Sequence, residues 1–181
     1  MPIKILAISG SLSRSSSNTA LLRAAARLGG ERASIEVYEA MSALPLFNVD
    51  LDIEPAPAPV ADFRARLTAC NAIIISSPEY AHGLSGVLKN ALDWTVSSGD
   101  FYEKPVAVFN ASPRASIAQE SLAEVLRTMG SRIVEGASIA VPLLGRHLDA
   151  DGIVADAAIS HAIREAIQAL ADAIGARQPA R

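Results

Sequence analysis

The chain has 181 residues, half of them apolar and only 4% aromatic, with a formal charge of -3. That length suits one domain spanning residues 1–181 with a core built from Ile, Val, Leu and Ala; the scattered basic residues exclude a surface that tracks nucleic-acid phosphates, and no apolar run nears the ~18 residues that cross a membrane. Cys70 is the single cysteine, which excludes an intrachain disulfide, and with no signal-type start the expected setting is cytoplasmic.

Ile3 to Ser9 is short, apolar and closed by Gly10, the pattern of a buried strand. Residues 17 to 28 place Leu21, Leu22, Ala25 and Leu28 on one face and stop at Gly29 and Gly30, so a first helix follows. Ser34 to Tyr38 predicts a second strand. Met41 to Pro59, punctuated by Pro55, Pro57 and Pro59, reads as a long irregular excursion. Val60 to Cys70 predicts a helix with Phe63 and Leu67 inward, and "NAIIISSP" (71–78) a fully buried third strand. Leu84 to Ser97 predicts a helix and "KPVAVFNAS" (104–112) a fourth strand. Ser116 with Gln119 has the spacing of a capping box opening a helix that ends near Gly130. Ile133 to Val141 predicts a fifth strand, and Asp156 to Ile174 a last helix with Ile159, Ile163, Ile167, Leu170 and Ile174 in one stripe.

Strands alternating with helices imply an α/β fold, a parallel sheet covered on both faces, with a ligand site beyond the carboxyl ends of the first, third and fourth strands. "GSLSRSSSN", "SPEYAHG" and "NASPRAS" mark those ends. In the first, hydroxyls and Arg14 beside a helix start can bind a phosphate; the other reading is that Ser16, Ser17 or Asn18 merely caps the helix. Only Gly10 is present, so the stretch is neither the three-glycine dinucleotide fingerprint nor a nucleoside-triphosphate loop. His82, His147 and His161 share no ligand spacing with each other or with Cys70, so no metal is expected.

"SSPEYAHGLSGVLKNALDW" (76–94) closely resembles the NAD(P)H-dependent FMN reductase family, the flavodoxin-like group that includes quinone, chromate and azo-dye reductases; "LPLFNVDLD" (44–52) and "LDADGIVAD" (148–156) extend the likeness. The resemblance implies a three-layer fold with strand order 2-1-3-4-5, noncovalent FMN, hydride transfer from NAD(P)H to a small-molecule acceptor such as a quinone or free flavin, and a homodimer or homotetramer. It places Ser11, Ser13, Arg14, Ser16, Ser17 and Asn18 at the FMN phosphate, and Pro78, Glu79, Tyr80, Ala81 and Ser112 at the ring. The family often carries its arginine where this chain has Ser13, asparagine where it has Ala81, and glycine where it has Ser112, Pro113 and Arg114. Flavin carries the redox chemistry, so no catalytic acid or base is expected, and His82 reads as structural. Asn90 and Trp94 share a helix face and are expected to shape a subunit contact. A flavodoxin-type electron carrier serving protein partners is the alternative function.

Overall fold

The computed structural model describes residues 2–112 and 116–175. In chain order it holds β1 (Ile3–Ser9), α1 (Ser17–Leu28), β2 (Ala33–Tyr38), α2 (Ala58–Ala69), β3 (Ala72–Ser76), β4 (Glu79–Tyr80), β5 (Gly83–Leu84), α3 (Gly86–Asp93), β6 (Pro105–Asn110), α4 (Ser116–Thr128), β7 (Arg132–Ile133), β8 (Ile139–Ala140), α5 (Ala150–Ala155) and α6 (Ala157–Gly175). β2, β1, β3, β6 and β7 lie side by side in that order, all parallel, and β8 pairs with the far end of β6. Taking β7 and β8 together as the fifth strand, this is the 2-1-3-4-5 order.

The two faces of the sheet follow from the two-residue period of a strand. Ile5 and Ala7 of β1 pack into a layer with Leu21, Leu22 and Ala25 of α1 and Ile163, Ile167 and Leu170 of α6. Leu6 and Ile8 face the opposite way, into a layer with Phe63 and Leu67 of α2, Leu88 and Leu92 of α3, and Leu122 and Leu126 of α4. β3 is buried along its whole length, as a central parallel strand must be. At the end of α2, Lys104 Nζ donates to the carbonyls of Leu67 (2.7 Å) and Cys70 (3.0 Å), putting a cation on the negative end of that helix. Burial pushes the Cys70 thiol up, away from the reactive thiolate.

Four elements depart from the sequence reading. The strand expected over 133–141 is two short ones: after Ile133 pairs with Val106, Glu135–Ala137 winds into a 3-10 turn. The Val108 amide then donates to Ser138 Oγ (3.1 Å), where a ladder carbonyl would otherwise accept, and pairing resumes at Phe109 with Ile139. α3 ends at Asp93 rather than Ser97. A β4–β5 hairpin stands where the helix was expected to begin, and α5 is an extra short helix capped by Asp149. The capping box at α4 does not form either: Ser116 is itself helical, Gln119 Nε2 is buried with no partner among the described residues, and the Ala118 amide bonds to Glu79 instead.

The excursion at 41–59 is ordered. It contains a 3-10 turn at Val49–Leu51, follows another at Ala40–Ala43, and is strapped to α3. Asn90 Nδ2 and Trp94 Nε1 both donate to the Pro45 carbonyl (2.9 and 2.8 Å), and the Phe47 amide donates to Asn90 Oδ1 (2.8 Å). Phe47 meets the Trp94 ring edge-on, at 5.1 Å between centroids. Trp94 is fully buried within its own chain. Asn90 and Trp94 thus hold the strap, their side-chain polar atoms bonded to Pro45 and Phe47.

Candidate functional site

The carboxyl ends of β1, β3 and β6 open on one crevice, and its floor is a seam of buried hydroxyls. Ser9 Oγ lies 2.8 Å from Thr19 Oγ1 and accepts the Ser11 amide at 3.2 Å, so the last residue of β1 fixes both the loop and the first turn of α1. Ser76 Oγ, at the end of β3, donates to Asn18 Oδ1 at 2.9 Å. Next along, Ser77 Oγ donates to Ser85 Oγ at 3.3 Å, and Ser85 caps α3 by accepting the Leu88 amide. Ser9, Ser76, Ser77 and Ser85 are buried and Thr19 half-buried, which is tolerable only because each finds a partner. Ser9, Thr19, Ser76, Ser77 and Ser85 went unremarked in the sequence; a hydroxyl at each strand's exit is the signal that marks them.

Gly10 sits where β1 and β3 come closest. A Cβ there would lie 2.3 Å from Ser77 Oγ and 2.7 Å from Ser77 Cβ, distances no side chain tolerates. The single glycine of the loop is therefore a packing requirement, and it brings the loop's backbone down onto the hydroxyl seam.

The loop divides its polar groups between scaffold and ligand. Ser16 is the N-cap of α1, accepting the Thr19 amide at 3.2 Å, and the Ala20 amide returns to the Ser16 carbonyl at 2.9 Å. Asn18 Oδ1 is held by Ser76, while Ser11 Oγ accepts the Ser13 amide (3.3 Å) and retains its own proton to donate. The capping reading thus applies to Ser16, while Ser11 and Ser17 keep hydroxyl protons to give and Ser13 Oγ shares a hydrogen bond with Ser15 Oγ at 3.4 Å. The Ser17 and Asn18 amides lie in the first turn of α1, where the helix itself offers no acceptor. Arg14 is exposed and makes no ion pair among the described residues.

Across the crevice stands the β4–β5 hairpin, closed by Ala81 and His82 at φ +49 and +57. Positive φ at both central residues is the turn that matches strand twist, yet neither residue is the Asn or Gly that adopts it without strain. Glu79 anchors the hairpin from behind. Its Oε2 accepts the Ala118 amide of α4 at 2.9 Å, and its Oε1 lies 3.0 Å from His82 Nδ1. Those partners, the Ala118 amide first, hold the Glu79 carboxyl below the usual glutamate range. The side chain of Glu79 is thus committed to α4, leaving its backbone for a ligand, while the ring of Tyr80 is largely in solvent. Pro78 follows the Ser77 hydroxyl directly. At the third edge the Ser112 amide donates to Asn110 Oδ1 at 2.9 Å, turning the chain out of β6; Pro113 and Arg114 lie outside the described residues. Ser11 to Asn18 and Pro78 to Ala81 thus follow the carboxyl ends of the neighbouring strands β1 and β3, with Ser112 beyond the end of the adjoining β6.

The crevice can take an elongated ligand with an anion at one end and a flat body at the other: amides and hydroxyls at α1, hairpin backbone at β3 and the β6 exit beyond. Comparison with known proteins agrees. The sequence profile of the NADPH-dependent FMN reductase family matches residues 3–143. An NAD(P)H-dependent FMN reductase of Pseudomonas aeruginosa is 33% identical over 173 residues, covering 93% of each chain. A probable NADPH:quinone oxidoreductase of Oryza sativa is 31% identical over 177 residues, covering 93% of this chain and 90% of that one. Among solved structures, the flavoenzyme NAD(P)H:(acceptor) oxidoreductase FerB of Paracoccus denitrificans superposes with a TM-score of 0.84 at 26% identity, over 96% of this chain and 98% of that one.

Proposed function

We propose, from the premise that this chain belongs to the NADPH-dependent FMN reductase family, that it binds FMN in the crevice and reduces small acceptors such as quinones or free flavin with NAD(P)H. The observation that carries this reading is the loop after β1. Its free hydroxyls and first-turn amides are pre-set by the Ser9–Thr19 and Ser76–Asn18 bonds, so little ordering cost remains when a phosphate arrives. Bonds from such donors to a charged group are worth roughly 1.5 to 3 kcal/mol each, and three or four hold a monophosphate.

In this reading Ser11, Ser13 and Ser17 donate to the phosphate with the Ser17 and Asn18 amides, Arg14 adds charge, and Ser16 keeps the helix start in place. Pro78, Glu79, Tyr80 and Ala81 present backbone to the flavin ring edge, and Ser112 lines its other side. Bound FMN supplies the redox chemistry, two electrons taken from NAD(P)H and passed to the acceptor. The residues need only hold one ring face open for both, which is why no acid or base is assigned. The hairpin's backbone N–H groups favour negative charge on the nearby ring edge, as fixed dipoles do.

We read the assembly as a homodimer or homotetramer. The strap at 44–53 supports this, since Leu46, Val49, Leu51 and Ile53 are exposed on a segment that Asn90, Trp94 and Arg64 hold rigid. Contiguous exposed apolar groups on a fixed frame are the mark of an interface.

Purified protein titrated with FMN and then given NADPH and benzoquinone tests the function. Flavin uptake followed by NADPH-dependent quinone reduction is expected. A chain that takes up no FMN overturns the reading, and one that takes FMN but oxidises NADPH only with a protein acceptor present indicates an electron carrier instead.

A further inference from the structure

Between the β1–α1 loop and the end of β2 lies a cavity of about 350 Å³, which shares Ser9, Ser11, Ser13, Arg14 and Thr19 with the loop described above and adds Leu12, Arg23, Glu39 and Met41. Three chemistries meet there. Leu12, 57% exposed at the loop's tip, offers an apolar face, with Met41 buried at the cavity's other wall. Arg14 and Arg23 supply guanidinium groups, and Glu39, the residue directly after β2, a carboxylate. Arg23 Nη2 donates to Glu39 Oε1 at 2.9 Å, yet the two side chains are 51% and 70% exposed. A pair so open to solvent adds little to the fold, so stability does not account for its place at the cavity rim.

In open α/β folds that bind dinucleotides, a carboxylate at the end of the second strand takes the adenosine ribose hydroxyls, and a nearby arginine takes a 2′-phosphate when one is present. Glu39 and Arg23 bring both groups to one spot. We infer that this cavity receives the adenosine end of the pyridine nucleotide, its base against Leu12, with Glu39 accepting from the ribose hydroxyls of NADH and Arg23 binding the 2′-phosphate of NADPH. The inference rests on the FMN reading and adds the site that chooses between the two donors. β2 stands three strand spacings from β6, about 14 Å, a span that an extended dinucleotide with its nicotinamide over the flavin site bridges. A neighbouring cavity on the other side of Arg14 is less suited, because no residue at the end of β2 lines it.

The test is calorimetric titration of the FMN-loaded protein with 2′,5′-ADP and with 5′-ADP, beside FMN titration of every variant. The parent chain is expected to bind 2′,5′-ADP about tenfold more tightly than 5′-ADP. Arg23→Ala erases that preference, Glu39→Gln enlarges it by releasing Arg23 and weakening 5′-ADP, and Arg27→Ala, one turn further along α1, keeps it. An undiminished preference in Arg23→Ala, equal loss in Arg27→Ala, or no binding of either nucleotide overturns the inference while leaving the flavin reading intact. A chain that takes no FMN overturns both.

Discussion

The Glu79 carboxylate and the Ala118 amide meet at 2.9 Å, so the hairpin after β3 is tied from behind to the first turn of α4 by a hydrogen bond. The same carboxylate also reaches His82, which makes Glu79 the link between the hairpin's tip and the helix that follows β6.

Replacing Glu79 by Ala is therefore expected to loosen both edges of the crevice and weaken FMN about tenfold, the effect of losing a charge-assisted bond. Glu79→Gln keeps an acceptor for Ala118 and loses less. The folded carboxyl titrates below its unfolded value, so its contribution is present in full above the ordinary glutamate range and fades as pH falls through the lowered value. Unfolding by urea followed from neutral pH downward should show a larger loss of stability in the parent chain than in Glu79→Gln.

Ala81 and His82 carry a strain that the fold tolerates at the flavin end of the crevice. Ala81→Gly or Ala81→Asn should raise stability by about 1 kcal/mol, because the left-handed backbone costs those residues little. A urea midpoint shifted upward at unchanged slope is the expected readout. Ala81→Val, branched at Cβ, moves it downward.

Gly10→Ala places a methyl inside the space of Ser77. Overpacking of this kind costs about 1 to 3 kcal/mol, and here it also lifts the loop off the hydroxyl seam, so FMN affinity falls with stability. Ser77→Gly in the same chain removes the two closest clashing atoms and leaves Ser85 Oγ at 2.9 Å. The pair should recover much of the stability lost by Gly10→Ala alone, and a double-mutant cycle with no coupling would show that the contact is not the cause.

How far the sequence carries the structure depends on how local the determinants are. β1 (Ile3–Ser9) and α1 (Ser17–Leu28) lie where the apolar run and the helical stripe put them, because each pattern is complete within its own segment. The β4–β5 hairpin escaped because Ala-His is no turn signal; only the antiparallel pairing of Glu79 with Leu84 and Tyr80 with Gly83 imposes it. The break between β7 and β8 depends on Ser138 bonding to Val108, thirty residues earlier. The hold of Asn90 on the strap is equally non-local, since its partners Pro45 and Phe47 lie more than forty residues upstream. Within the loop the six candidate residues are legible as a set, but which hydroxyl caps, braces or donates is decided by the neighbouring strand ends.

The strap depends on a half-hidden ion pair. Arg64 donates to Asp52 Oδ1 at 2.6 Å and to the Trp94 carbonyl, and Ser97 Oγ donates to Asp52 Oδ2 at 2.6 Å, with both charged side chains largely out of solvent. Removing one partner of such a pair leaves the other charge buried, so Arg64→Met is expected to cost about 3 kcal/mol, whereas Arg64→Met with Asp52→Leu costs less than the single change. The Ser97 hydroxyl, then Arg64, holds Asp52 below the ordinary carboxylate range, so the latch is intact above that range and releases as pH falls through the lowered value. Release frees Phe47 from the Trp94 ring edge while α3 stays folded. Tryptophan fluorescence followed during acid titration reports on this directly, since Trp94 is the chain's only tryptophan: a transition preceding global unfolding in the parent chain, absent from the double variant, is expected. A single transition coincident with loss of helix would mean that the strap and the core unfold together, and that the apolar face at Leu46 to Ile53 is set by the core rather than by the ion pair.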